Sequence, residues 1–435
     1  MIEQQERSIT YHMVTLGALT REGDALVEIV ERDEAGEQHM QTLSVPAGLP
    51  GESVTIAVEA PLQPRPGRRS RRWKQRPPRV WITEIHQASP LRVQAPCPVF
   101  GTCGGCQLQH MQYEAQLEWK RTVVQQLLHD IGEFENPPLL ATVPCDIPWH
   151  YRNHMRFSVN RSGQPGLTAR GTHRVLPLAA CPIAQEQINR ALSVLSQHTN
   201  PQPQVLIRCG AASEQMLIQP SQTQEVAQEL ADKGLDVHTE TMDEILSGET
   251  FRIRPSSFFQ TNTTQAEKMA QMVLQGLLSL HQQSEVQAKK LTVVDAYCGV
   301  GTFALLLARH VGRVIAIEES ASAIKDAQWN LRDVENVDIL KGKVEHVLPD
   351  IAVGLDGLVI DPPRAGCQQV VLDALIQHPV ASIVYVSCDP STLARDLNVL
   401  CHVHPTYRLC SVQPLDMFPQ TAHIECVTVL ERVDS

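Results

Sequence analysis

The sequence predicts an α/β protein with three parts: a small OB-like β-barrel, a central α+β domain, and a C-terminal Rossmann-like open sheet. Three observations predict it. The apolar run Leu291–Asp295 ends on an aspartate and turns through Tyr297-Cys298-Gly299-Val300-Gly301 into Ala304–Arg309, which reads as a helix. Two further apolar runs end on Asp361-Pro362-Pro363-Arg364 and on Ser387-Cys388-Asp389-Pro390. At the other end of the chain, residues 8–88 carry five short alternating stretches separated by turn signals. The boundaries expected are 1–88, 89–247 and 248–435.

A length of 435 residues with 43% hydrophobic content supports several real cores. Residues 1–20 have no cationic start followed by an apolar block, and the long apolar stretch 291–317 is broken by Asp295, Arg309 and Arg313. Neither export nor a membrane span is therefore expected, and the expected location is cytoplasmic. Twelve cysteines are too sparse for a disulfide scaffold in a chain of this size. The net charge of −11 argues against wholesale coating of nucleic acid, yet residues 64–79 hold eight cations and no acid, with Trp73 among them. Such a run, placed between the last two barrel strands, reads as an address for phosphates with an aromatic available to stack.

The barrel strands are expected at Met13–Leu16, Ala25–Val30, His39–Val45, Ser53–Ala60 and Val80–His86. After them come Cys97, Cys103 and Cys106 in a glycine-bearing loop, three thiols free of helix or strand and so able to wrap a metal. Cys145 and Cys181 are candidate fourth ligands; the Cys181-Pro182 context favours Cys181 and an iron–sulfur cluster, with tetrahedral zinc as the rival. Periodicity predicts a helix over 108–131 with Met111, Leu117, Val124, Leu127, Leu128 and Ile131 as its core stripe. Short strands and helices then alternate to about residue 248. Arg152, His154, Arg156, Arg161, Arg170 and Arg174 cluster there, and alternate strand positions would set several on one face, as an RNA-facing sheet requires.

Phe258-Phe259-Gln260-Thr261-Asn262 leads into a helix at Gln265–Leu277; adjacent aromatics followed by amides can stack on a flat base and bond its edge. The glycine turn after Asp295 suits a nucleoside, and Glu318, ending Val314–Ile317, is placed for ribose hydroxyls. No second nucleotide-binding half follows, so S-adenosylmethionine is preferred to NAD. Asp389 is a natural N-cap with Pro390 as first helical residue, which sets Cys388 before a helix N-terminus and predicts modest thiolate activation. If the final strand, Thr421–Leu430, runs antiparallel at the end of the sheet, Glu425 comes near Cys388. A cysteine, a base and a sulfonium donor suffice to methylate carbon 5 of uracil. The thiolate adds to carbon 6, carbon 5 attacks the methyl, and the base removes the carbon-5 proton so that the thiol leaves.

Phe258–Asn262, Asp295–Gly301, Asp361–Gly366, Ser387–Pro390 and His423–Glu425 together resemble the RNA uracil-5-methyltransferase family. The cysteine loop with Cys181, and the barrel before it, resemble the family's 23S ribosomal RNA branch, which carries a TRAM domain and a [4Fe–4S] cluster. The resemblance implies a Rossmann-like S-adenosylmethionine-dependent methyltransferase domain with Cys388 as nucleophile and Glu425 as base. It implies Gln260, Tyr297, Glu318 and Asp361 as donor contacts, Phe258 as the aromatic flanking the flipped base, and Cys97, Cys103, Cys106 and Cys181 as cluster ligands. RNA is the implied partner; no membrane and no obligate protein partner are expected, and the chain is expected to be a monomer. The rivals are the same chemistry on a transfer RNA T-loop uridine or on cytosine carbon 5, and a non-catalytic iron–sulfur RNA-binding protein.

Overall fold

The computed structural model describes residues 9–32, 38–60, 78–280 and 289–433. Trp73 and all of the basic run up to residue 77 lie outside them. The chain compacts as two units: residues 1–116 with 420–422, and residues 117–419 with 423–435.

In the first unit, β1 (Ile9–Thr15), β4 (Ser53–Glu59) and β5 (Arg79–Gln87) form one antiparallel sheet, in the order β1-β4-β5. A second sheet pairs β2 (Ala25–Arg32) with β3 (Gln38–Val45). Four of the five strands occur where alternation places them, the first begins at Ile9 rather than Met13, and the five form two hydrogen-bonded sheets. They share a core that includes Val27, Ile29, Leu43, Val54 and Ile56. The unit does not end with β5. The buried carboxylate of Glu52 accepts from Leu49 N, Ser89 N and the Arg92 guanidinium, which hold its pKa below the usual range despite burial.

In the second unit, helix α1 (Tyr113–Asp130, its first turn shared with the first unit) is shorter than periodicity predicts. Residues 108–112 have tertiary partners instead: Leu108 N donates to the Gln420 carbonyl and Met111 bridges to Arg92, so the first predicted turn is not helical. The central sheet has the order β11-β10-β9-β6-β7-β8, from β6 (His154–Val159), β7 (Pro165–Thr168), β8 (Val175–Pro177), β9 (Gln204–Cys209), β10 (Gln215–Gln219) and β11 (Asp236–His238). Helices α2 (Glu186–Leu195) and α3 (Gln224–Asp232), the latter capped by the Thr223 hydroxyl, pack on each other and on this sheet. A hairpin, β12 (Met242–Leu246) and β13 (Glu249–Ile253), leads to α4 (Thr263–Leu280).

The last sheet is built from β14 (Thr292–Ala296), β15 (Arg313–Glu318), β16 (Val337–Lys341), β17 (Gly357–Ile360), β18 (Ser382–Ser387), β19 (Tyr407–Leu415) and β20 (Glu425–Arg432). Between them run α5 (Thr302–Ala308), α6 (Ala321–Asn330), α7 (Val344–Ile351), α8 (Gln369–Gln377) and α9 (Pro390–Asn398). The order is β16-β15-β14-β17-β18-β20-β19, with the first five strands parallel, so their C-terminal ends share one edge. Near-continuous apolar strands such as Ile383–Val386 are what a sheet covered on both faces requires, and both faces carry buried clusters. The sequence predicts the final strand at the sheet's end from residue 421; β20 instead starts at Glu425 and lies inside the sheet, because β19 pairs with it as the edge. No helix among the described residues is long and apolar enough to cross a membrane.

Candidate active site

The glycine turn is built as its residue types demand. Gly299 and Gly301 have φ of +57° and +86°, and Tyr297 itself sits at +64°. Asp295 is fully buried; its Oδ2 accepts from Ala304 N at 2.8 Å, tying the strand to the first turn of α5, while Oδ1 has no partner among the described residues. Burial above all, with the nearby Asp361 and Glu318 carboxylates, pushes its pKa up to about 8. Glu318 ends β15 with Oε2 accepting from Gly299 N at 2.9 Å and Oε1 from Ser320 N at 2.7 Å, so the acid expected to meet a ribose is fixed against the turn.

Asp361 follows β17, and burial raises its pKa to about 7. Cys388 follows β18, with Asp389 capping α9 through Ser391 N and Pro390 in its first turn. The antiparallel register Ser387↔Cys426 makes Glu425 the residue across from Cys388. Glu425 is 2% exposed, and burial, then Asp361, drive its carboxyl well above the usual range; the Arg364 cation opposes them. Cys388 is pushed up to about 11 by burial, Glu425 and Asp361, against the pull of Arg364. The resting thiol is therefore protonated rather than modestly activated: burial and two carboxylates outweigh what the helix N-terminus provides.

Of the two adjacent aromatics, Phe259 is core, packed on Phe251 with centroids 5.7 Å apart, whereas Phe258 is 65% exposed. Gln260 follows, its carbonyl accepting from Asn153 Nδ2 at 3.2 Å, while Asn153 N donates to the Thr261 carbonyl. The central lobe thus holds the turn that carries Phe258 and Gln260. Of the predicted basic cluster, Arg152, His154 and Arg156 alternate along or just before β6; Arg161 lies in the turn after it, and Arg170 and Arg174 lie between β7 and β8.

The thiol loop lies in the first unit. Cys103 is buried, its Sγ accepts from Gly105 N at 3.4 Å, and burial and the neighbouring Cys97 raise its pKa. Cys181, in the second unit, is buried, and its backbone is clasped by the Asn189 amide on both sides. Among the described residues no group of three or more His, Cys, Asp or Glu side chains is placed to hold a metal ion.

The support of this edge comes from residues distant in the chain. Asp396, fully buried in α9, accepts from Cys367 N and the Tyr385 hydroxyl, both at 2.8 Å, and from Arg395; Arg395 in turn donates to the Ala365 and Cys367 carbonyls. The loop 364–367 is thereby fastened to the helix that follows Cys388. Nothing local in the sequence signals this. The electrostatic role of Arg364 had a signal, its place directly after Asp361-Pro-Pro.

Comparison with known proteins bears on the family and the fold. Residues 221–433 match the family described as tRNA (uracil-5-)-methyltransferase. An RNA methyltransferase of Gloeobacter violaceus is 37% identical over 402 residues, covering 81% of this chain and 85% of that protein. One of Halalkalibacterium halodurans is 32% identical over 463 residues, covering 94% and 96%. A solved structure of Pyrococcus abyssi tRNA (uracil-54, C5)-methyltransferase, in complex with S-adenosyl-L-homocysteine, superposes with a TM-score of 0.69. It is 24% identical, covers 96% of this chain and 99% of that one, and supports the fold.

Proposed function

The chain belongs to the RNA (uracil-5-)-methyltransferase family, and on that premise we propose that it methylates carbon 5 of a uridine in 23S ribosomal RNA through a transient bond between Cys388 and carbon 6. The observation that carries the reading is the β18–β20 register, which makes a cysteine and a buried glutamate neighbours across the C-terminal edge of the sheet. The donor is S-adenosylmethionine, which supplies an electrophilic sulfonium methyl when bound. The residues at the edge suit it. A buried Asp295 with one unpartnered oxygen, Glu318 and Asp361 converge on the glycine turn, and such acids accept from ribose hydroxyls and an amino acid's ammonium. Gln260 and Tyr297 complete the proposed donor contacts.

Phe258, exposed on a turn fixed by Asn153, is the proposed platform for the extruded base. The Cys388 thiolate adds to carbon 6, and the electron pair released makes carbon 5 nucleophilic. Once the methyl is on carbon 5, the Glu425 carboxylate takes the carbon-5 proton, the carbon–sulfur bond breaks, and the thiolate is regenerated. Arg364 is the cation on hand to favour both anions. Cys388, pushed up to about 11, must give up its proton before the addition, and burial, which drives the Glu425 carboxyl upward, is what its work as a base has to overcome.

For Cys97, Cys103, Cys106 and Cys181 we propose ligation of a [4Fe–4S] cluster. Four thiols are the right donor set and three share one loop, with a backbone N–H already on Cys103 Sγ; zinc is the alternative. A visible absorption band lost in Cys103→Ser and Cys181→Ser would support the cluster; zinc in place of iron by elemental analysis would refute it. We retain 1–88 as a TRAM-like RNA-binding barrel, 89–247 as the central domain and 248–435 as the methyltransferase domain.

The test is incubation with labelled donor and total RNA from cells lacking the gene, followed by mapping of the labelled nucleoside. Methyluridine in 23S ribosomal RNA supports the reading. Label in transfer RNA, which the names of the matched family and of the structural neighbour make the second reading, moves the substrate. Cys388→Ala must abolish both transfer and the RNA–protein adduct, and Glu425→Gln must accumulate the adduct; transfer by Cys388→Ala would overturn the mechanism.

A further inference from the structure

The antiparallel register of β6 and β9 sets His154 opposite Arg208. Arg208 is 3% exposed, and its Nη2 donates to the Ser257 carbonyl and to His154 Nδ1, each at 3.1 Å. A guanidinium has no acceptor, so Nδ1 must be the bare nitrogen of the ring. Burial and the Arg208, Arg152 and Arg156 cations push the imidazole pKa down to about 3, so the ring is neutral and carries its proton on Nε2. That Nε2–H and the Nη1 of Arg208 are both buried, and neither has a partner among the described residues.

Idle donors beside a buried cation are costly, on the order of 1–3 kcal/mol for each unmet group, and native interiors avoid them unless ordered water, an ion or a ligand meets them. The acids within electrostatic reach of Arg208 are Glu244 and Asp326, and both are engaged elsewhere. Glu244 accepts from Ala211 N, Asn153 Nδ2 and Thr263 Oγ1; Asp326 accepts from Arg254 through its backbone N and its guanidinium. Arg156, on the same strand face as His154, is exposed. Ser257, whose carbonyl Arg208 holds, immediately precedes Phe258.

We infer that Arg208, His154 and Arg156 form a subsite for one backbone phosphate of the RNA strand, next to the nucleotide whose base meets Phe258. The inference rests on the RNA reading above and deepens it. A phosphate brings acceptor oxygens and negative charge to a place whose two unmet groups are both donors and whose nearby acids are already engaged. The same contact would fix the strand relative to the Ser257–Phe258 turn, so that holding the backbone and receiving the base are one event.

The test uses the full-length protein and unmethylated ribosomal RNA. His154→Phe keeps the ring's bulk but removes the Nε2–H; Arg156→Gln removes the exposed cation without touching the interior. RNA affinity should fall about tenfold or more in His154→Phe, as expected for a hydrogen bond to a charged group. The slope of log affinity against log salt should become shallower by roughly 0.7–0.9 in Arg156→Gln. Affinity for S-adenosylhomocysteine, measured on the same samples, should stay at the wild-type value and certifies the fold. Wild-type RNA affinity in His154→Phe with donor affinity intact, or an unchanged salt slope in Arg156→Gln, overturns the subsite while leaving the methyltransferase reading standing. Failure of the wild type to bind RNA overturns both.

Discussion

Replacing Asp295 by Asn tests how the sheet edge is built. The wild-type carboxyl, fully buried with Oδ1 unpartnered among the described residues, has a pKa of about 8 in the folded protein against about 4 in the unfolded chain. A raised folded pKa means that the native state holds a proton the unfolded state has lost. The stability this group contributes is complete below about pH 4 and drains away as pH rises to 8. Between pH 5 and pH 8 the loss is roughly 3–4 kcal/mol from this single group. Asn cannot titrate; its Oδ1 can still accept from Ala304 N, and its amide hydrogens, like the present oxygen, find no partner, a cost that is the same at every pH. The assay is urea unfolding of both proteins at intervals from pH 5 to pH 8, reading the difference between them so that titrating histidines cancel. The variant should gain steadily on the wild type as pH rises. Two curves that run parallel across this range would refute the idea that Asp295 is a protonated acid in the folded protein.

The pH–rate profile should rise through neutrality, because Cys388, at about 11, and Glu425, held well above the usual range, must both give up protons. Arg364→Gln removes the cation that opposes both shifts and should move that limb up by about 0.5–1 pH unit, as expected for loss of one charge at short range; an unmoved limb would remove Arg364 from the electrostatics of the site. Gly366→Ala should cost about 1–3 kcal/mol in chemical denaturation, since φ is +75° there and a Cβ would meet Arg395 Nη2 at 2.5 Å and Asp396 Oδ2 at 2.7 Å. Thr223→Ala should cost about 1 kcal/mol through loss of the α3 cap and leave methyl transfer unaffected.

Features that depend on short-range order are legible in the chain before it folds. The glycine turn after Asp295, the cap at Asp389-Pro390 and the parallel strands ending in Asp361 and Cys388 follow from residue types and spacings a few positions long, where backbone geometry permits little else. The same holds for the chemistry that the cysteine, glutamate and donor turn suggest. Folding alone sets what depends on partners distant in the chain. It delayed the start of the predicted helix to Tyr113 because Met111 is taken by Arg92, placed β20 inside the sheet because β19 occupies the edge, and chose Phe258 over Phe259 as the exposed ring. It also raised the Cys388 thiol above its ordinary value, since burial and charge are sums over neighbours that folding brings together from residues 361, 364 and 425. Residue identity carries bonding capacity; whether a donor such as Arg208 Nη1 is met or left waiting is a property of the assembled interior alone.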